Sequence, residues 1–218
     1  MSEIITTYNP TQPETALPKD RVEFYKEQFG LFDQNKKPDT ASGIVNIFFF
    51  DNSGELFIQK RSDNKSHNAG LLDKAVGGHI TYGDAPDYTV MVETIQEIQV
   101  PSIVTKDEAE FTKTYDLLKN YLDSVAVVKH VEDKIFKFDK NIKGLNKPIL
   151  NKVHLYFGIY TGAVKTVDRE AKGVLLYSLE DLDREMQQFP DKFTDDLKIL
   201  LKYYRSQIVA FIKVTKSK

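Results

Sequence analysis

The run Gly43 to Phe50 reads GIVNIFFF, and only Asn46 breaks its apolar character. A stretch of strand length with no polar alternation predicts a strand buried on both faces. Asp51-Asn52-Ser53-Gly54 then reads as a turn, and Glu55 to Arg61 as the returning strand. Residues 62–73 are polar and read as a loop, and Lys74 to Ile80 resumes strand character and runs into Gly77 and Gly78. Pro86 suits the first turn of a helix, with Asp84 or Ala85 at its cap. Tyr88, Met91, Ile95 and Ile98 recur at helical spacing and predict its buried stripe, with Glu93 and Glu97 away from it and facing out.

The remaining pattern alternates the two element types. Residues 1–19 hold Pro10, Pro13 and Pro18 among Thr and Asn and read as an extended arm. Asp20 caps a helix from about Arg21 to Phe29, ended by Gly30. Beyond Pro101, Thr105 with Glu108 resembles a capping box, opening a helix whose apolar face is Phe111, Tyr115, Leu118 and Leu122. Strands are expected at 125–131, 135–138, 153–160 and 174–177, with a lysine-rich loop at 139–148. Ser178 with Asp181 opens another helix that Pro190 ends, and Thr194 starts a last one running to about Ile212. Mixed strands and helices of this kind indicate α/β or α+β organisation.

Composition removes several classes of function. The 218 residues contain no cysteine, which excludes a disulfide framework, a thiol nucleophile and a Cys-ligated zinc site. A formal net charge of -2 argues against a nucleic acid or an anionic membrane held by bulk electrostatics. MSEIITTYNP lacks the pattern of a signal peptide, and no apolar run approaches membrane-spanning length. The expectation is a cytoplasmic protein with no nucleic-acid and no membrane partner.

The chemistry concentrates after the paired glycines. Glu93 and Glu97 are four apart, so a helix stacks them on one face. Like charges there cost stability, and a hard divalent cation would compensate while leaving positions open for phosphate. From spacing alone, a solvated helix face that happens to carry two glutamates is the better reading.

The wider pattern resembles the Nudix box, G-x5-E-x7-R-E-U-x-E-E-x-G-U, with U aliphatic. Gly78 stands on its opening glycine and Asp84 on its first glutamate. Val92 stands on the arginine, Glu93 on the glutamate after it, Gln96 and Glu97 on the glutamate pair, and Gln99 on the closing glycine. The hairpin FFFDNSGELFIQKRS, the approach GLLDKAVGGH and the late PDKFTDDL resemble the Nudix subgroup related to isopentenyl diphosphate isomerase. The resemblance covers roughly residues 43–100 and 150–200.

That resemblance implies an α/β; Nudix-type α/β/α sandwich with a mixed sheet, formed by residues 20–218 as one domain with an insertion at about 101–149. It implies metal-dependent hydrolysis of a diphosphate linkage in a nucleoside diphosphate derivative. Glu93 and Glu97 would be catalytic and would bind Mg2+ (or Mn2+), joined by the Gly78 carbonyl and an acid from a later loop. Glu170 is the candidate for that acid and Asp168 its competitor; a solvated loop glutamate is an equally good reading of Glu170. Arg61 could meet a phosphate, His79 a metal or substrate, and Tyr82 a base. Against these stand a solvated strand end, a histidine bonded to backbone, and a packing aromatic. His67, His130 and His154 lack metal-ligand spacing and read as structural.

The departures from the box define an alternative. Val92 cannot form the arginine's ion pairs, Gln96 removes a negative charge, and Gln99 requires the helix end to be arranged differently. A catalytically weakened Nudix-fold binding or regulatory protein is the rival reading. Isomerisation is rejected: Gly77 replaces the isomerase cysteine, and the isomerase segment E-N-E-V-C aligns with Leu150-Asn151-Lys152-Val153-His154, which keeps neither carboxylate. Substrate identity stays open, as does assembly, a homodimer included.

Overall fold

The computed structural model describes residues 3–164 and 171–216. Its strands are β1 (Ile4–Asn9), β2 (Gln12–Asp20), β3 (Ala41–Phe50), β4 (Leu56–Arg61), β5 (Leu72–Lys74), β6 (Val76–His79), β7 (Ser102–Thr105), β8 (Ala126–Ile142), β9 (Leu145–Ile159) and β10 (Ala171–Tyr177). Its helices are α1 (Arg21–Asp33), α2 (Pro86–Ile98), α3 (Glu108–Leu118), α4 (Leu179–Gln188), α5 (Asp195–Tyr203) and α6 (Arg205–Lys216). Among these residues, no helix is long and apolar enough to cross a membrane.

All strands join one mixed sheet with the path β10-β4-β3-β9-β8-β7, while β6 and β1 also pair with β3 and β5 pairs with β4. β3 lies parallel to β9, and β7 parallel to β8; the other pairings are antiparallel. Every residue of β3 is buried, and alternation sends its side chains into two different cores. Ile44, Phe48 and Phe50 join Phe111, Leu182, Leu197 and Phe211 from α3 to α6. Val45, Ile47 and Phe49 join Val90 and Ile98 of α2. The result is a sheet with helices on both faces. A third cluster, Ile5, Phe24 and Ile149, holds α1 and the N-terminal strands to the rest. At Gly158 of β9 the Phe49 ring lies so close that a Cβ would overlap it, so glycine is required by packing there.

Three of the segments that differ from their sequence reading bear on the architecture. The segment read as an extended arm is extended, but it is paired: β1 and β2 form a hairpin, and β1 continues onto β3. Pro13 and Pro18 are tolerated because β2 pairs on one side only, where a missing N–H need not break a ladder. The lysine-rich 139–148 stretch is the tip of the long β8–β9 hairpin. Lys143 (φ 52) and Gly144 (φ 88) turn it with both central φ values positive, the geometry that matches strand twist. The charges there masked the strand pattern. Finally, the last helix is two helices, α5 and α6, separated at Tyr204. Tyr204 is buried, and its hydroxyl donates to Glu132 at 2.7 Å.

Phe157 touches the rings of Phe48, Phe50 and Phe211 at the centre of the first core and is 1% exposed. Phe157→Ala is expected to lower the unfolding free energy by about 3–5 kcal/mol, read from urea midpoints. A loss under about 1 kcal/mol would mean that this core is not packed as described.

Candidate active site

The glycine turn and α2 meet because β6 is clamped between strand and helix. β6 pairs with β3, placing Gly77 opposite Asn46 and Gly78 opposite Val45. α2 begins at Pro86 after the N-cap Ala85; no side chain caps it, so Asp84 does not take that role. Asp87 in its first turn accepts from the Tyr156 hydroxyl at 2.8 Å, which ties the helix start to the sheet.

The buried face of α2 is not the predicted stripe. Tyr88, Met91 and Ile95 are exposed, and Thr89, Val90, Thr94 and Ile98 are buried. The helix is turned by about 100°, the angle between successive residues. Periodicity ranked the larger apolar side chains first. The structure buries Thr94 instead, because its hydroxyl can donate to the Met91 carbonyl at 3.1 Å and also bonds the Ser102 hydroxyl. That rotation corrects the expectation that Glu93 and Glu97 face outward. Both are half-buried and turn toward β6.

Their contacts with β6 are close. The Gly77 N–H donates to Glu97 Oε2 at 3.2 Å. A Cβ on Gly78 would overlap Glu93 Oε1 and lie 3.0 Å from Glu93 Cγ, so any larger residue would displace that carboxylate. Gln99 was expected to force a different helix end, yet it adopts the left-handed conformation itself (φ 57, ψ 33) and its N–H bonds back to Ile95 and Thr94. A non-glycine residue there costs about 1 kcal/mol, and the end keeps the geometry a glycine would give.

The two glutamates form one wall of a cleft of about 810 Å³ that Gly78, His79 and Arg61 also line. Tyr82 does not line it; its side chain is 46% exposed and its N–H donates to the Ile4 carbonyl at 3.0 Å. Asp168 and Glu170 lie outside the described residues. His67, read as structural, lines the cleft, whereas His130 and His154 do not and share Asp133 instead, at 2.7 and 2.8 Å.

Several lining residues carried no sequence expectation. Tyr25 of α1 shares a hydrogen bond with His79 Nε2 at 3.1 Å. Burial pushes the Tyr25 hydroxyl up to about 12. Beside Gly77, Asp73, Lys74, Lys140 and Asp196 form a buried ion network with Arg61. Burial would raise Asp196, but Lys140 and Lys74 outweigh it and hold the carboxyl far below the usual range. Burial would lower Lys74, but Asp196 and Asp73 push it above the usual amine range. Lys140 is lowered by burial, which Asp196 offsets only in part. The opposite charges side by side in LLDKAVGG were the one sequence signal for this network.

Two carboxylates at a backbone turn suit a hard cation, which takes one or two carboxylates and keeps positions for phosphate. The space beside Gly78, too small for a Cβ, is where carboxylate and backbone converge. Among the described residues, no group of three His, Asp or Glu could hold a metal ion by itself. A cation here would therefore rest on Glu93, Glu97 and oxygens from backbone, water or substrate.

Comparison with known proteins agrees with this architecture. No family model matches the chain. It is 24% identical over 148 residues to an isopentenyl-diphosphate Delta-isomerase of Serratia proteamaculans, covering 68% of each chain. Its fold is similar to DR0079 from Deinococcus radiodurans, with a TM-score of 0.53, 17% identity, and 74% of this chain and 82% of that one covered. It is similar also to a NUDIX hydrolase from Alicyclobacillus acidocaldarius, with a TM-score of 0.53, 12% identity, and coverage of 82% and 96%. The chain has the Nudix fold, a mixed sheet between helices.

Two predictions follow from the site. If Glu93 holds a cation, Gly78→Ala should leave the protein folded yet weaken Mn2+ binding by about tenfold or more, because Glu93 must move. Calorimetry checks this, and an unchanged affinity would exclude the Glu93 carboxylate as a ligand. The second concerns pH. Burial and then Lys140 lower His67 from 6.5 to about 3, and burial and then Arg21 lower His79. The unfolded chain binds these protons more readily, so the stability they contribute is full above 6.5 and lost as pH falls toward 3. His67→Asn should therefore flatten the fall of the urea midpoint across that acid range; an unaltered slope would remove His67 from the effect.

Proposed function

We propose that the chain is a metal-dependent hydrolase that cleaves a diphosphate linkage in a nucleoside diphosphate derivative. The observation that carries this reading is the pair Glu93 and Glu97, held against Gly78 and Gly77 at the wall of a polar cleft. Glu93, Glu97 and the Gly78 carbonyl would hold Mg2+ or Mn2+. When bound, such a cation neutralises diphosphate charge and makes water more acidic.

The side chains carry the rest. Glu93 cannot retreat into the helix–sheet contact without leaving Gly78, so it stays where it can accept a proton from the attacking water. The new bond joins that water oxygen to phosphorus. The bridging P–O bond breaks, and the departing phosphate leaves with the electron pair. Glu97 is oriented by the Gly77 N–H, which donates to its Oε2. Arg61 faces the cleft and supplies positive charge beside the phosphates. Isomerisation has no support from these residues. Gly77 carries no thiol, and the Lys152 ammonium is spent on the Pro13 carbonyl at 2.8 Å and the Tyr8 ring.

Val92, Gln96 and Gln99 favour a second reading, a Nudix-fold binding protein with weakened catalysis. One experiment separates the two. Turnover is assayed on nucleoside diphosphates, nucleotide sugars and dinucleotides with Mg2+ or Mn2+. The hydrolase reading expects activity, with Glu97→Gln lowering kcat by about a hundredfold or more, since several kcal/mol of charge stabilisation depend on the cation. A silent panel, together with ligand binding that needs no metal and ignores Glu97→Gln, would establish the binding protein.

A further inference from the structure

Beside Glu93 and Glu97, the cleft floor is an ion network with an unequal charge count. Three cations, Arg61, Lys74 and Lys140, share two carboxylates, Asp73 and Asp196, leaving one positive charge in excess. Lys74 is satisfied within it, donating to Asp196 Oδ2 at 2.7 Å and Asp73 Oδ1 at 3.2 Å. Lys140 is not: its ammonium approaches Asp196 Oδ2 only to 3.8 Å, beyond hydrogen-bond reach.

Three further polar atoms in the lining lack partners. Asn46 Nδ2, Arg61 Nε and Asp196 Oδ1 are buried without a hydrogen bond, and their residues face the cleft. Asn46 and Asp196 are only 1% and 2% exposed. They belong to one locality: the Asn46 side chain and the Lys74 stem both come within 2.9 Å of the position a Gly77 Cβ would take, and Lys74 reaches Asp196. Unmet donors and acceptors of this kind are destabilising, a cost that a complementary ligand removes.

The unmet set specifies that ligand. Asn46 Nδ2, Arg61 Nε and the Lys140 ammonium are donors, and Asp196 Oδ1 is an acceptor. A simple anion would satisfy the donors and be repelled by Asp196. An oxyanion that also carries a proton satisfies all four. We propose that the cleft floor is a phosphate subsite that needs no metal, in which Asn46, Arg61 and Lys140 donate to phosphate oxygens and Asp196 accepts from a P–OH group. It would seat a terminal phosphate of the substrate or the free phosphate product, and this use in turnover rests on the hydrolase reading above. The acceptor makes the subsite selective, because sulfate at neutral pH has no proton to give.

The test uses the full chain in EDTA, so that no cation contributes. Calorimetry and thermal unfolding are run with inorganic phosphate and with pyrophosphate, each against sulfate at matched ionic strength. Phosphate is expected to bind and raise Tm while sulfate does neither; tighter pyrophosphate binding would identify a substrate end, and equal or weaker binding a product site. Lys140→Met and Asn46→Leu should each weaken phosphate binding by about tenfold or more, the loss of one hydrogen bond to an anion. Should either variant fail to fold, the wild-type contrast between phosphate and sulfate decides alone. Equal responses to the two anions, no response to phosphate, or folded variants that bind phosphate as the wild type does would each overturn the proposal. Glu97→Gln should lower turnover about a hundredfold or more and leave phosphate affinity in EDTA unchanged, so failure of the hydrolase reading and failure of the subsite give different results.

Discussion

β3 has no face toward water, and the rest of the molecule answers to that constraint. A strand buried on both sides requires a helical layer above and below, and strands along both of its edges to satisfy its backbone. α2 supplies one layer and α3 to α6 the other. β9 runs along one edge in parallel, and β6 takes part of the other. The glycines of β6 therefore lie directly under the helix that bears the two glutamates. The site is a consequence of how the central strand is covered.

Within that frame, the cleft lining holds charge of both signs. Glu93 and Glu97 form the acidic wall, and the Arg61–Lys74–Lys140 network forms a floor with excess positive charge. Keeping these groups ionised inside a protein is costly, and the floor meets the cost by pairing: Asp196 stays ionised because two lysines adjoin it. Tyr25, His67 and His79 close the cleft beyond with neutral groups, since burial disfavours protonation of either imidazole. The departures from the Nudix box are also less disruptive than they read in sequence. Gln99 holds the left-handed helix end unaided, and the Gly77 N–H bonds Glu97.

The central hairpin, the glycine turn, α2 and the Glu93–Glu97 pair were legible because each has a local cause: an unbroken apolar run, a turn signal, a proline at a helix start, and a spacing of four. Lys140 and Asp196 were not legible as site residues. They lie 56 positions apart in sequence, one on β8 and one on α5, and nothing local distinguishes either from a solvated charge. The β8–β9 hairpin tip was hidden for a related reason, since Lys147 pairs with Asp33 of α1, a partner that no sequence window contains.

The sequence by itself determined the buried central strand, the glycine turn and the helix that carries Glu93 and Glu97, because those follow from side-chain periodicity and backbone freedom. Tertiary structure alone decided which face of α2 is inward. Apolar periodicity marks a preferred stripe, but a threonine that satisfies its own hydroxyl can be buried in place of isoleucine, and here that choice turns the glutamates onto the glycines. It also decided that isolated charges converge into one cleft floor, because ion pairing in a low-dielectric interior depends on separation in space and not along the chain.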